Sequence, residues 1–369
     1  MGNYELGRQA YLNKNAVEAI KCLEAAQKEE CPKPSINLML GICYCRLRNY
    51  AIGYRYLTAA ERNKEKMKHQ DESDKDVIDQ DLVAMARQKV EETPARWRMR
   101  MKAFAENPQD SRWWFHGIVG DSKVIYDLRR EAESIAPTDS TVLLLGAFGS
   151  GKDIAARTIH ALSRRNGAVL VALNCGELEP QLADSELFGV VPNYPGFHCA
   201  MGKRGAFEVA NLGTLFLDEI GHLRSEIQAK LLRAIENREV KRIGAEQPQP
   251  VDVRLITATV DTKAASGKSL FDGAFLSRIA VNVVPIYPLR YHIEDIPLLL
   301  CHLNGTLADR LGRQFKDIED EAIAGFSRHD WPWNVRELRN VLEHAIPRME
   351  NDAVIRVKNL PSTMQTCPC

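Results

Sequence analysis

A glycine-rich turn at residues 146–153 constrains the fold of this chain more than any other segment. It reads Gly-Ala-Phe-Gly-Ser-Gly-Lys-Asp, and the residues just before it, Thr141 to Leu145, are apolar and rich in strand formers. A strand that opens into such a turn predicts a phosphate-binding loop, in which backbone N–H groups surround the phosphates. The predicted nucleotide-binding residues are Gly146, Gly149, Ser150, Gly151, Lys152 and Asp153.

The residues after this turn support the same interpretation. Lys152 is long enough to reach the β- and γ-phosphate oxygens, and the alanine-rich run 154–157 predicts a helix whose positive N-terminal end faces the nucleotide. A GxxxxGK pattern can also arise by chance in a chain of this length. A second, independent motif is therefore needed before the turn indicates nucleotide binding.

That second motif is an apolar run, Thr214 to Leu217, that ends in Asp218 and Glu219. Phosphoryl transfer requires an acid near Mg²⁺, and hydrolysis requires another carboxylate to orient the attacking water. We assign Asp218 to the metal and Glu219 to the water, although two acids at a strand end can also be solvated loop residues. Because both motifs follow strands, the sequence predicts a site for ATP and Mg²⁺ at the carboxyl edge of a parallel sheet.

Length and charge limit the remaining possibilities. At 369 residues the chain is expected to form two or three domains. Its 49 basic and 49 acidic side chains give no net charge and no global electrostatic reason to bind nucleic acid. The absence of a signal pattern and of an 18-residue apolar run predicts a cytoplasmic protein without a membrane partner. Its nine cysteines lack paired Cys-x-x-Cys spacing, which argues against a disulfide framework or zinc site.

The first 60 residues contain an internal repeat with a period of 34. The residues Leu6, Gly7, Asn15, Leu23, Ala25 and Ala26 recur as Leu40, Gly41, Asn49, Leu57, Ala59 and Ala60. This period is typical of tetratricopeptide repeats, with two antiparallel helices per unit, and the two glycines would let the helices approach closely. A generic pair of helical hairpins with fortuitous matches is the alternative. A helical stretch from Val77 to Phe104 could cap the repeats, so residues 1–105 are predicted to be an all-α domain.

The rest of the chain alternates strand and helix patterns. Strand candidates are Val142–Leu145, Ala168–Leu173, Leu212–Leu217 and Val251–Ala258. They predict a three-layered α/β core with a mostly parallel sheet over residues 116–288, after a linker at 106–115. Strands are expected to cease after Ile286, so residues 289–350 are predicted to form a helical lid. Residues 351–369 are predicted to be a tail too short for a helix-turn-helix, so sequence-specific DNA binding is not expected.

From about His116 to Met349 the sequence resembles the AAA+ domain of bacterial sigma-54-dependent transcriptional activators. The matching stretches are 142–153, 171–175, 185–189, 213–221, 228–233, 294–297 and 331–338. The resemblance implies a P-loop ATPase core with a helical lid. It also implies a self-assembled ring, expected to be a hexamer, whose ATP hydrolysis acts on sigma-54 RNA polymerase.

The resemblance assigns roles to four further residues. Asn174 corresponds to the residue that gates the glutamate Glu219, and Thr259 to the first sensor residue. Arg278 corresponds to the second of two arginines that act on the neighbouring subunit, and Arg336 to the lid arginine that senses the γ-phosphate. Considered alone, either arginine could instead form a surface ion pair.

This chain departs from the family pattern near the catalytic residues. The first trans-acting arginine is replaced by Asp272 in an ungapped alignment, and the sensor asparagine by Val260. Both changes predict weakened hydrolysis, because neither side chain can stabilise negative charge. Two smaller changes are Asp153, where the family usually has glutamate, and Trp333, where it has glycine.

The loop after Gly189 differs as well. The family's Gly-Ala-Phe-Thr-Gly-Ala, which contacts sigma-54, corresponds to Pro-Gly-Phe-His-Cys-Ala at residues 195–200. Phe197 and His198 are the candidate partner-contacting residues of this loop.

Two functions follow from these observations. The first is an ATP-hydrolysing ring that regulates transcription without a DNA-binding domain of its own. The alternative is a hydrolysis-impaired ATP-binding scaffold or anti-activator, which pairs with an activator of the family and whose tetratricopeptide groove binds a peptide or protein.

Overall fold

The computed structural model describes residues 2–28, 35–66, 80–112, 114–179, 181–195, 201–262 and 269–365. They form two compact units. The first unit comprises Met1–Trp113, Val119–Val124 and Pro288–Cys369, and the second Trp114–Ile118 and Ile125–Tyr287.

Sixteen α-helices lie in the described residues. They are α1 (Asn3–Leu12), α2 (Ala16–Lys28), α3 (Ser35–Arg46), α4 (Tyr50–Lys66), α5 (Gln80–Glu91), α6 (Thr93–Glu106), α7 (Lys123–Ile135), α8 (Lys152–Ala161), α9 (Ala183–Phe188), α10 (Ala206–Val209), α11 (Ser225–Asn237), α12 (Gly273–Ile279), α13 (Ile296–Leu311), α14 (Asp320–Arg328), α15 (Asn334–Ala345) and α16 (Ser362–Gln365).

The strands of the described residues are β1 (Trp114–Phe115), β2 (Ile118–Val119), β3 (Val142–Gly146), β4 (Leu170–Asn174), β5 (Gly189–Val190), β6 (Lys203–Arg204), β7 (Thr214–Asp218), β8 (Glu239–Val240), β9 (Gln249–Pro250), β10 (Arg254–Thr259), β11 (Asn282–Ile286), β12 (Asp317–Ile318) and β13 (Val354–Ile355). Short 3₁₀ turns occur at Ile220–His222, Leu289–Tyr291, Ile293–Asp295, Ile346–Arg348 and Val357–Asn359.

Two helical hairpins, α1–α2 and α3–α4, begin the first unit. A Cβ on Gly7 would lie 2.8 Å from Cγ of Leu23, and one on Gly41 would lie 2.7 Å from Cγ of Leu57. The same glycine-to-leucine contact therefore recurs 34 residues later in the chain. Only a residue without a Cβ lets these backbones approach so closely. The N-terminal region is all-helical as predicted, and its assignment to tetratricopeptide repeats stays a prediction.

Two helices follow where the sequence predicts one helical stretch. The break falls at Thr93 and Pro94, because proline is favoured in the first turn of a new helix and lacks the N–H that would continue the previous one. Helix α4 extends to Lys66, into the charge-dense run that begins at Glu61. Residues 67–79 lie outside the described part of the chain.

Helices α13 to α16 complete the first unit, together with one pair of short strands. The expectation that strands cease after Ile286 is wrong, because Asp317 pairs with Val354 and Ile318 with Ile355 in parallel. Both isoleucines are fully buried. Two residues per strand carry too little alternation to be recognised in the sequence.

The second unit is built on a five-stranded sheet in the order β11-β3-β10-β7-β4, and every pairing is parallel. Its strands bury both faces. Leu215 and Leu217 enter one apolar cluster, whereas Phe216 enters another. The four predicted strands are present, with ends shifted by up to three residues. Strand β11 was not predicted from the sequence, because Asn282 and Pro285 interrupt its apolar run.

The parallel arrangement brings four strand ends to one edge of the sheet. In spatial order β3 ends at Gly146, β10 at Thr259, β7 at Asp218 and β4 at Asn174. Crevices at the carboxyl edge of such sheets are where ligands bind in α/β folds.

Candidate nucleotide-binding site

The loop between β3 and α8 has the backbone geometry of a phosphate cradle. Gly149 and Gly151 adopt φ angles of 69° and 98°. This left-handed region suits glycine, which adopts it without a Cβ clash. Gly151 caps α8, which begins at Lys152. The positive end of the helix dipole is thus placed directly after the loop.

The first glycine of the loop is required for a different reason. A Cβ on Gly146 would lie 2.7 Å from the carbonyl oxygen of Ile286 and 2.8 Å from Oγ of Ser150. Ser150 in turn donates to the carbonyl of Ala147 at 2.8 Å. The loop is therefore packed against β11 so closely that no side chain fits at position 146.

Lys152 places a positive charge beside this loop. It is buried, and its Nζ donates to the carbonyl oxygens of Gly146 at 2.9 Å and Ala147 at 3.1 Å. The ammonium also lies 5.7 Å from the centroid of the Phe148 ring. The backbone of the loop therefore positions the cation that a phosphate would pair with.

Two carboxylates stand at the end of β7. Oδ1 of Asp218 accepts a hydrogen bond from the N–H of Glu219 at 2.9 Å. Glu219 has a φ of 53°, an uncommon conformation for a residue with a side chain. Such strain is concentrated at functional sites. The bend turns the chain sharply at the point where the predicted water-orienting residue stands.

Gly176 and His222 contact the Glu219 carboxylate, and neither residue was predicted from the sequence to do so. A Cβ on Gly176 would lie 2.0 Å from Oε2 of Glu219, so position 176 must be glycine for this rotamer. Nδ1 of His222 lies 3.7 Å from the same oxygen. Burial, and then the charges of Asp218 and Glu219, raise the pKa of the neighbouring Cys175 thiol to about 12. That thiol is neutral at physiological pH.

The two other residues at this edge bond to nearby groups. Asn174 is in register with Asp218, but its side-chain Nδ2 donates to Glu177 at 2.8 Å and its Oδ1 accepts from the N–H of Gly176 at 3.0 Å. The amide is therefore held beside the glycine that contacts Glu219. Thr259 is buried at the end of β10, and its hydroxyl donates to the carbonyl of Asp261 at 2.9 Å.

Helix α12 carries the predicted trans-acting arginine away from the loop. Arg278 is exposed, with Nε 4.0 Å from a carboxylate oxygen of Glu236. Its carbonyl accepts from the hydroxyl of Thr141, just before the amino end of β3, at 2.7 Å. A cavity of about 250 Å³ lies beside it, and its charged lining is Asp139, Arg165, Glu236, Arg238, Asp252 and Arg278. Arg278 is thus at the opposite edge of the sheet from the phosphate cradle.

Asp272 has a clear structural role at the start of the same helix. Its Oδ1 accepts a hydrogen bond from the N–H of Ala274 at 2.9 Å, which makes it the N-cap of α12. Aspartate is among the best residues for this position. The acid at the position predicted for the first trans-acting arginine therefore stabilises the helix that carries Arg278.

Arg336 belongs to the first unit, where it is exposed in the first turn of α15. Trp333 precedes it with 58% of its surface exposed, and its N–H donates to Glu337 at 3.0 Å. Asn334, the first residue of the helix, accepts at its Oδ1 from the N–H of Leu289 at 2.8 Å. The start of the lid helix is therefore fixed to the turn that follows β11.

The predicted partner loop is described only at its base. Val190 and Lys203 pair in the antiparallel strands β5 and β6. A Cβ on Gly189 would lie 2.5 Å from the carbonyl of Lys203, so glycine is needed there. Phe197 and His198 lie outside the described residues.

Two further kinds of feature are absent from the described residues. No group of three or more His, Cys, Asp or Glu side chains in that part of the chain is arranged to hold a metal ion. No helix there has the length and apolar character needed to cross a membrane.

Comparisons with known proteins match the site and the lid separately. Residues 118–285 match the sigma-54 interaction domain, and residues 290–367 match the AAA+ ATPase lid domain. The structure is similar to the crystal structure of NtrX from Brucella abortus in complex with ADP, with a TM-score of 0.61 and 29% identity. That likeness covers 77% of this chain and 60% of the NtrX chain.

Several curated relatives are similar over the same region. The putative uric acid sigma-54-dependent transcriptional regulator UacR of Escherichia coli is 40% identical over 251 residues. These residues cover 67% of this chain and 42% of the relative. The formate hydrogenlyase transcriptional activator FhlA of Escherichia coli is 42% identical over 63% of this chain and 34% of its own length. The transcriptional regulatory protein ZraR of Escherichia coli is 39% identical over 72% of this chain and 59% of its own. The chain thus spans less than two thirds of each of these relatives. Its residues 118–285 are a sigma-54 interaction domain, and its residues 290–367 are an AAA+ ATPase lid domain.

Proposed function

We propose that this chain binds ATP with Mg²⁺ at the carboxyl edge of its sheet and hydrolyses it within a ring of identical subunits that regulates transcription. The observation that carries the proposal is the row of strand ends at Gly146, Thr259, Asp218 and Asn174, beside a loop that has no room for a Cβ at position 146. The crystallisation of the similar NtrX with ADP and with ATP supports the choice of ligand.

Each residue at this edge has a chemical task in the proposed reaction. The loop N–H groups and Lys152 bind the phosphates, and Asp218 supplies an oxygen ligand to Mg²⁺. When bound, Mg²⁺ neutralises charge on the phosphate oxygens. Glu219 accepts a hydrogen bond from the attacking water and orients it, while Asn174 and Gly176 restrict the positions that the Glu219 carboxylate can take. Thr259 and, from the lid, Arg336 are the proposed phosphate sensors.

The place of Arg278 supports assembly. Strand β3 has five residues, which is about 16 Å at 3.3 Å per residue, and Arg278 lies at the end of it that is remote from the cradle. An arginine side chain is too short to reach the phosphates of its own subunit across that distance. We therefore propose that Arg278 acts on the nucleotide of a neighbour in a ring, which we take to be a hexamer. Asp272 leaves the pair of trans-acting residues with one cation, so turnover is expected to be slow.

The partners follow from the relatives. UacR is named as a sigma-54-dependent transcriptional regulator, FhlA as a transcriptional activator and ZraR as a transcriptional regulatory protein. We propose that the target is sigma-54 RNA polymerase, contacted through Phe197 and His198, or an activator of this family. Under this proposal the ring works in the cytoplasm. A peptide or protein ligand of the helical repeats would supply the signal.

The proposal is tested by measuring ATP hydrolysis against protein concentration. The rate per subunit is expected to rise with concentration, because Arg278 must meet a neighbour. Glu219→Gln should bind ATP and fail to turn it over. Nucleotide binding by the wild-type chain without concentration-dependent turnover would contradict the proposal.

A mixing experiment isolates the role of Arg278. Arg278→Ala retains an intact cradle and Lys152→Ala retains an intact arginine, so each should be inactive alone. An equimolar mixture should recover part of the wild-type rate, since some interfaces combine the two intact halves. A mixture as inactive as its components would show that Arg278 does not act across subunits.

A further inference from the structure

The N-terminal helices and the lid lie in the same compact unit and share a contact surface. We call it the brace surface. On the helical side it consists of Glu24, Tyr44, Arg48, Asn49, Arg55, Arg98 and Arg100. On the lid side it consists of Arg290 and five acids, Glu294, Asp295, Asp317, Asp320 and Asp330. The charges on the two sides are complementary, as the individual contacts show.

Arg290, in the turn that begins the lid, is the central contact. Its guanidinium donates to Glu24 of α2 at 3.1 Å, and its carbonyl accepts from Nδ2 of Asn49 at 2.8 Å. Its Cζ lies 4.9 Å from the centroid of the Tyr291 ring. One lid residue is thus held by both its main chain and its side chain.

Aromatic side chains bury this contact. Tyr44 is almost fully buried, and its hydroxyl donates to Glu24. Its ring stacks on Tyr56 at 5.7 Å and meets Tyr291 at 6.4 Å. Burial, and then the Glu24 charge, raise the pKa of Tyr44 above its ordinary range. The hydroxyl therefore remains a donor to Glu24 while Arg290 donates to the other oxygen of the same carboxylate.

Four arginines of the helical region face lid acids around this centre. The pairs are Arg48 with Glu294 at 3.6 Å, Arg55 with Asp330 at 3.2 Å, Arg98 with Asp317 at 3.0 Å and Asp320 at 2.6 Å, and Arg100 with Asp295 at 3.8 Å. Several of these side chains are exposed and stabilise the surface only weakly. Their arrangement specifies which face of the helical region meets the lid.

Asp295 is the buried member of this set and joins three segments. Its carboxylate accepts from the N–H groups of Asp121 at 2.8 Å and Ser122 at 3.0 Å, and lies 3.1 Å from Nδ1 of His292. Arg100 of α6 pairs with both Asp121 and Asp295. The last helix of the N-terminal region is therefore tied to the lid and to the segment Val119–Val124.

A short chain of bonds leads from the brace surface to the predicted sensor arginine. Leu289, next to Arg290, donates its N–H to Oδ1 of Asn334 at 2.8 Å. Asn334 begins α15, and Arg336 is two residues further along that helix. A movement of Arg290 by the helical region would therefore change the position of the helix that carries Arg336.

We propose that the partner of the brace surface is the lid of the same chain, and that the helical region controls ATP turnover by positioning α15 through Arg290. This inference rests on the proposed function. Arg290 is a positioning residue here, because it acts through Asn334 and Arg336 and not on the nucleotide. A ligand that bends the α3–α4 hairpin would change the ATPase rate by this route.

The test compares Arg290→Ala and Glu24→Gln with a matched control, Arg87→Ala. Arg87 also forms an ion pair with a glutamate, Glu91, but on an exposed face of α5. Hydrogen–deuterium exchange of the full chain should speed up about tenfold in Ala16–Lys28 and Ser35–Arg46 for both brace variants and remain unchanged in the control. Unchanged exchange in both brace variants would overturn the proposed contact between the helical region and the lid. The isosteric Glu24→Gln keeps the test valid if Arg290→Ala folds poorly.

Steady-state kinetics tests the functional link. Arg290→Ala should lower kcat for ATP about fivefold or more while KM changes less than about twofold, and Arg87→Ala should match the wild type. In an Arg336→Ala background the Arg290 substitution should not lower kcat further, because Arg290 is proposed to act through Arg336. Faster exchange with an unaltered kcat, or additive losses in the double variant, would overturn the control of turnover.

The two proposals fail in distinguishable ways. A wild-type chain that binds ATP without hydrolysing it would count against the proposed function alone, because the exchange comparison requires no turnover. In that case the dissociation rate of a fluorescent ATP analogue replaces kcat as the readout. A rate that is equal in Arg290→Ala and Arg87→Ala would overturn the control of the nucleotide site by the helical region.

Discussion

The nucleotide site of the second unit and the brace surface of the first are assembled in opposite ways. The cradle consists of consecutive residues, and its partners at the sheet edge come from strands that pair in register. The bonds of Arg290 to Asn49 and Glu24 instead join residues 241 and 266 positions apart. The first kind of site follows from short motifs, and the second exists only once the whole unit has folded.

The two regions also differ in how strongly each depends on individual residues. At the cradle, glycines are required because any Cβ at position 146 would meet backbone, and Lys152 is held by two carbonyls. At the brace surface, many charged pairs are exposed and each contributes little by itself. A single substitution at the cradle should therefore abolish nucleotide binding. A single substitution at the brace surface should only weaken the contact between the helical region and the lid.

The largest expected effect is that of Lys152→Ala. Removing one partner of a buried charge pair with phosphate typically costs about 2–5 kcal/mol, which is about thirtyfold to four-thousandfold in Kd for ATP. Titration with a fluorescent nucleotide measures this. Arg157→Ala, an exposed cation on the same helix, should bind like the wild type. Binding by Lys152→Ala within threefold of the wild type would remove the cradle from the nucleotide site.

The contrast explains how much of the site the sequence predicts. The cradle and the acids Asp218 and Glu219 are local patterns, and the prediction of a parallel sheet brings them to one edge. The orientation of Asn174 toward Glu177 and the contact of Gly176 with Glu219 are not predictable this way, because they depend on rotamers at the ends of adjacent strands.

The fold was predicted to a similar extent. Four strands of the main sheet and the helical character of the N-terminal region follow from periodicity. Strand β11 was not predicted because Pro285 obscures an apolar run, and β12 and β13 are too short to show one. No local pattern distinguishes Arg290 from other arginines, since what sets it apart is its distant partners.

A second prediction concerns the packing of the helical hairpins. In Gly41→Ala the new Cβ would meet Leu57 at 2.7 Å, and in Gly7→Ala it would meet Leu23 at 2.8 Å. Such overpacking costs about 1–3 kcal/mol, more than the gain of up to about 1 kcal/mol in helix propensity. Both variants should therefore lose stability by similar amounts in chemical unfolding.

The matched control for these variants is Gly325→Ala in α14. A Cβ there would meet nothing within 4 Å, so the propensity gain should appear alone. A stable Gly41→Ala protein, or unequal losses at Gly7 and Gly41, would show that the two hairpins are not packed equivalently. Nucleotide binding should stay intact in all three variants, because the cradle belongs to the other unit.

The smallest expected effect is the pH dependence of stability that comes from one acid of the brace surface, Glu294. Burial, and then the Asp295 charge, raise the pKa of Glu294 to about 6, and Arg48 offsets this only in part. The folded state therefore holds a proton that the unfolded state releases near pH 4.5. As pH rises from about 4.5 to about 6, this carboxyl reduces the free energy of unfolding by up to about 2 kcal/mol.

Glu294→Gln should remove that dependence. The variant should be more stable than the wild type above pH 6 by up to about 2 kcal/mol and lose this advantage below pH 4.5, because glutamine resembles the protonated acid. Urea unfolding at pH 4.5 and pH 7.5 measures the difference. Carboxylates that do not interact with Glu294 change the stability of both proteins alike, so the comparison reports Glu294 together with its repulsion of Asp295. A wild type that is the more stable protein at pH 7.5 would instead show that its pairing with Arg48 outweighs burial, and that the brace surface is held by charge more firmly than its exposure indicates.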